Sequence, residues 1–174
     1  MGKVHRWRFM AFLVPLVLMV GCGTANNDFG ASVDISRICA DSACANLASS
    51  LEASVFGNRP LTVYLEVKNN MKPGGTASGP TARIYMVQVD YLEPSGSPDI
   101  MTRVQEIPVN VTSGSTAIVP AAILSYEQLE FIRDRVTFFP DFPFQISCRI
   151  TIFYNTTGGQ YGSVERLLSV VITP

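Results

Sequence analysis

The chain has 174 residues and a formal net charge of −1, from 13 Lys and Arg against 14 Asp and Glu, and its one histidine is His5. No basic stripe follows the first eight residues, which argues against a nucleic-acid partner. Hydrophobic residues make up 47% of the chain, enough for one domain with a substantial core.

Lys3, Arg6 and Arg8 open the chain without an acid, and residues 9–20 carry no charge and only one break, Pro15. A cationic start before a short apolar run is the layout of a secretory signal peptide. As a helix, those twelve residues cover about 18 Å, against ~30 Å of bilayer hydrocarbon. Residues 1–21 therefore read as a signal-peptide helix and not as a membrane span. The run ends in Met19-Val20-Gly21-Cys22, which resembles a bacterial lipobox, with Met19 where Leu is commoner. The resemblance implies cleavage between Gly21 and Cys22, diacylglycerol on the Cys22 sulfur, and a further acyl chain such as palmitate on the new α-amine. Two or more chains hold a protein on a membrane where one binds marginally. The mature chain is then expected in the bacterial cell envelope as a lipoprotein, anchored by lipid alone. Gly23 stands where Asp often signals inner-membrane retention, which points to the outer membrane, facing the periplasm or the cell surface.

Cleavage removes His5 and three of the cations, leaving a charge of about −4. A mature chain without histidine has no Ser-His-Asp or Cys-His site and no imidazole for a metal. No cofactor or metal is expected, and an enzyme is not. Cys39, Cys44 and Cys148 remain in an oxidising compartment. A local Cys39–Cys44 bond, a long bond from either to Cys148, and no bond at all are each open on spacing alone.

Residues 22–32 are small and polar, as befits a flexible lipidated tether. Residues 33–174 are expected to form the domain. Val33–Ile38 and Leu51–Phe56 are candidate short strands. In Leu61–Asn69, period-two alternation puts Leu61, Val63, Leu65 and Val67 on one face. Residues 71–80 are a Gly- and Pro-rich loop. The next strand aligns Tyr85, Val87, Val89 and Tyr91, with Asp90, Glu93 and Asp99 as a solvated carboxylate rim. Ile100–Val111 is extended, and Pro108 marks it as an edge or a break. The pattern of Ala121–Arg135 predicts a helix, with Ser125 and Gln128 as a capping box and Arg133 and Arg135 near its C-terminus. Two long strands follow, the first placing Phe144, Ile146, Cys148, Ile150, Ile152 and Tyr154 on one face, and residues 155–162 join them as a hairpin.

Repeated strands with Gly and Pro turns and one short helix predict an all-β fold, an antiparallel immunoglobulin-like β-sandwich. Through the strand at Val87, Val89 and Tyr91, the helix, and the final hairpin, the chain loosely resembles uncharacterised immunoglobulin-like bacterial lipoproteins. Fold alone does not assign a role. Phe138, Phe139, Phe142 and Phe144 are the candidate interaction patch, with core packing as the plainer account. Tyr64, Tyr85, Tyr91, Tyr154 and Tyr161 are candidates for a sugar-binding face, with sheet packing as the plainer account. The expectation is a lipid-anchored, non-enzymatic binding or structural module with an envelope protein partner. The alternative is a carbohydrate or small-ligand binding lipoprotein.

Overall fold

The structure, a computed structural model, describes residues 33–48, 51–57, 59–72, 79–92, 100–135 and 142–174. The segments expected to be the signal peptide and the tether, with the expected cleavage pair Gly21 and Cys22, lie outside them. The alternating segments become strands β1 (Val33–Cys39), β2 (Leu51–Ser54), β3 (Leu61–Asn69), β4 (Ala82–Leu92), β5 (Arg103–Val111) and β6 (Thr116–Leu124). Helix α1 (Tyr126–Arg135) follows, then strands β7 (Phe144–Thr156) and β8 (Tyr161–Thr173). One sheet has the order β1-β3-β6 and the other β2-β8-β7-β4-β5. In immunoglobulin lettering the first is A-B-E, and β4, β7 and β8 take the places of C, F and G.

The sandwich is not wholly antiparallel, because β2 pairs parallel to β8, from Leu51 beside Val170 to Ser54 beside Thr173. After β1 the chain first folds back on that strand, with Leu47 paired antiparallel to Cys39.

The core lies between the sheets. Val63, Leu65 and Val67 of β3 face Ile146, Ile150 and Ile152 of β7, all fully buried. Each alternate residue points outward, as the two-residue period requires. A bulge between Ile84 and Met86 breaks this in β4. It puts Ile84 in the core with Val87 and Val89 and leaves Tyr85 half-buried, so Tyr85 does not share their face as the alternation predicted. A strand of simple period two cannot bury both Ile84 and Val87.

Side chains close both long sides. On one, the Gln105 amide of β5 bonds the free edge of β6, its Nε2 donating to the Ala122 carbonyl at 3.0 Å and its Oε1 accepting from the Ala122 N–H at 3.1 Å. On the other, Arg166 of β8 donates through Nε to the Ile35 carbonyl at 3.0 Å and pairs with Asp34 at 3.3 Å. That carbonyl sits where β1 bulges between Ile35 and Arg37.

The helix begins later than its pattern predicted. Ala121–Leu124 finish β6, with Ala121, Ile123 and Leu124 fully buried, and the apolar run fills the sheet instead of a helix face. Ser125 then caps α1. Its Oγ accepts from the Gln128 N–H at 3.2 Å, and the Gln128 Oε1 accepts from the Ser125 N–H at 2.9 Å. Leu129 and Ile132 fasten the helix to the core, and the Arg135 guanidinium lies 4.5 Å from the centre of the Phe131 ring.

Candidate functional site

At the end of the sandwich where β5 begins, a groove of about 440 Å³ opens between residues 100–104 and helix α1. Ile100, Met101, Val104 and Phe131 supply its apolar wall. Met101 is 81% exposed and Val104 55%. Thr102, Arg103, Ser125, Glu127 and Gln128 complete the lining.

Hydrogen bonds tie the frame of the groove together. The Gln128 Nε2 donates to the Tyr91 hydroxyl and to the Met101 carbonyl, both at 3.0 Å. The Tyr91 hydroxyl in turn donates to the carbonyl of Ile123. One glutamine thus caps the helix, holds the strand before the groove and fixes the tyrosine that joins β4 to β6. Burial pushes the Tyr91 phenol well above its ordinary range, so it remains a donor throughout the physiological range. Arg103 stands in the groove lining. Its Nε is buried without a hydrogen-bond partner, and its side chain makes no salt bridge among the described residues.

The other candidates are scattered. Cys39 and Cys44 are joined in a disulfide with Cα atoms 5.0 Å apart, and Cys148 lies buried in the core outside it. Asp41 holds the small loop. Its carboxylate accepts from the N–H groups of Ala43, Ala45 and Asn46 at 2.8–3.1 Å, and from the Asn46 side chain at 3.0 Å. These donors, Ala45 first, hold it below the usual carboxylate range. Phe142 and Phe144 lie tilted against each other with ring centres 5.4 Å apart and pack on the core margin. Phe138 and Phe139 lie outside the described residues, as do Glu93 and Asp99. Asp90 accepts from Gln88 at 3.0 Å and from Thr102 at 2.9 Å, and pairs with Arg149 at 3.6 Å.

The tyrosines form no common face. Tyr154 is in the core, Tyr91 is tied to the helix cap, Tyr64 lies on the outer side of β3, and Tyr161 is exposed at the start of β8 in the other sheet. Among the described residues no group of three His, Cys, Asp or Glu side chains is placed to hold a metal, and no helix is long and apolar enough to cross a membrane.

The groove itself escapes a reading by segments, because its walls are remote in the chain. The only local trace was a valine at an outward position of a Pro-marked edge strand. Comparison with known proteins adds little. No family model matches the chain, and no curated protein matches it. The CooA pilin subunit from enterotoxigenic Escherichia coli is similar at a TM-score of 0.29 and 14% identity, over 82% of this chain and 97% of that one. A score so low assigns neither fold nor role.

Proposed function

We propose that this chain is a lipid-anchored protein of the bacterial cell envelope, held at the outer membrane through Cys22, that acts as a non-enzymatic binding or structural module through protein contacts. The observation that carries the second half is the groove beside β5. An exposed Met101 and Val104 on an internally hydrogen-bonded frame is a surface that gains by being covered. The first half rests on the lipobox resemblance at Met19–Cys22. The sugar-binding alternative has no shared tyrosine face to draw on.

Two measurements test the reading. Cys22→Ser should move the protein from the membrane to the soluble envelope fraction and remove the lipid mass. Retention on the membrane would refute the anchor. Photo-crosslinkers placed in cells at Met101, and for comparison at Leu167 and Tyr161, should give a discrete, stoichiometric adduct from at least one position. Failure at every position would refute a protein-contact role.

A further inference from the structure

Among the described residues, Arg103 carries the one buried side-chain nitrogen or oxygen without a hydrogen-bond partner. It sits at an inward position of β5, and its Nε has less than a trace of solvent contact and no acceptor. Three other arginines have acidic partners, Arg37 in Glu66, Arg149 in Asp90 and Arg166 in Asp34, while Lys68 and Arg83 are exposed to water. A buried Nε–H without an acceptor is costly, since its hydrogen bond to water is lost and nothing replaces it. Yet the groove it lines is open, and its neighbours Met101 and Val104 are exposed. An acceptor can therefore arrive from outside.

We propose that the groove takes an extended segment of a partner polypeptide, with a carboxylate side chain received by Arg103 and a neighbouring apolar side chain covered by Met101, Val104 and Phe131. The inference rests on the protein-contact reading above and names the chemistry of the contact. Charge selects the occupant. One guanidinium suits one carboxylate, which it binds through paired N–H groups. Glu127 lines the same groove and disfavours a more highly charged group such as a phosphate. The apolar wall disfavours a free, fully hydrated anion. An extended segment fits because its alternate side chains point the same way, which lets a carboxylate and an apolar side chain enter the groove together.

The test uses the intact lipidated protein in detergent micelles, with methionine methyl groups labelled for NMR. Two end-capped pentapeptides of alternating valine serve as probes, one with a central Glu and one with a central Gln. The Glu peptide should shift the Met101 methyl, leave those of Met71 and Met86 in place, and saturate at a concentration about tenfold lower than the Gln peptide. Arg103→Gln should abolish that difference. Arg103→Gln and Arg103→Met should also melt no lower than the parent protein, because each removes a buried Nε–H that has no acceptor. Equal affinity for the two peptides, or no binding of either, would overturn the inference. So would a melting temperature several degrees lower in both variants, which would make Arg103 a structural residue. If the peptides fail while a crosslinker at Met101 still captures a stoichiometric partner, the carboxylate inference falls and the protein-contact reading stands. If the crosslinkers fail at every position as well, both fall.

Discussion

Replacing Asn69 should unfasten the end of the sandwich opposite the groove. Asn69 is fully buried at the end of β3. Its Nδ2 donates to the carbonyls of Pro80 and Val111, both at 2.9 Å, and its Oδ1 accepts from the Met71 N–H at 3.0 Å. One side chain thus gathers three separate chain segments. In Asn69→Ala the buried Val111 carbonyl loses its partner, at a cost of about 1–3 kcal/mol, and the two part-buried groups lose about 0.5–1.5 kcal/mol each. The sum is roughly 4 kcal/mol, which for a domain of this size lowers Tm by roughly 12–16 °C. Asn69→Asp sharpens the test. It keeps the shape but points a carboxylate at two carbonyls, so the folded state favours the protonated form and the pKa of the new group rises. Stability of that variant should then improve relative to the parent as pH falls toward about 4. Urea unfolding at several pH values, with m held constant across the series, measures both effects. A loss below about 1 kcal/mol in Asn69→Ala, or a pH-independent deficit in Asn69→Asp, would refute the reasoning.

Gly162→Ala should cost about 1–3 kcal/mol by thermal unfolding, because a Cβ there would lie 2.5 Å from the Tyr154 hydroxyl and 2.6 Å from its ring. Tyr91→Phe and Gln128→Ala should each destabilise by about 1–2 kcal/mol, and a double-mutant cycle should show coupling above about 0.5 kcal/mol, since the two side chains share a hydrogen bond at 3.0 Å. Asp41 is held below its ordinary pKa by the Ala45 and Asn46 N–H groups. Its contribution is therefore complete above the unfolded value and lost as pH falls through the folded one. The gap in urea midpoint between the parent and Asp41→Asn should narrow between about pH 7 and about pH 2, and a constant gap would contradict this.

How much was legible in the sequence depended on whether the signal was local. β3 and β7 alternate cleanly, so their buried faces, Cys148 included, follow from a period of two. The Ser125–Gln128 cap is a four-residue pattern and marks the true start of α1. Ala121–Leu124 misled because an apolar run in front of a cap suits a helix and a sheet equally, and only the pairing with β3 decides. The bulge at Tyr85 and the parallel seat of β2 depend on neighbouring strands and leave no mark in their own segments. The groove is the extreme case. Its exposed side chains come from residues 100–104 and its opposite wall from residues 125–131, joined through the two bonds of Gln128. Aromatic clustering drew attention instead to residues 138–144, of which the described pair, Phe142 and Phe144, packs on the core margin.

The direction of the domain relative to its proposed anchor yields a last prediction. β1 opens at Val33, opposite Asn69, at the end of the sandwich that also carries the β7–β8 turn, where the Thr157 N–H bonds Thr81. The groove lies at the other end. The nine residues of β3 run between them, a length of about 30 Å at ~3.3 Å per residue. The proposed anchor is joined to the chain ahead of Val33, and a groove reserved for a polypeptide should stay away from the bilayer. A fluorophore on Gly158→Cys should be quenched by a headgroup-attached quencher in vesicles, and one on Met101→Cys much less. The native cysteines do not compete for the label, since Cys39 and Cys44 are bonded and Cys148 is buried. Equal or stronger quenching at Met101 would mean that the apolar wall dips into lipid. The exposure of Met101 and Val104 would then be explained by the membrane, and the case for a polypeptide in the groove would lose its main support.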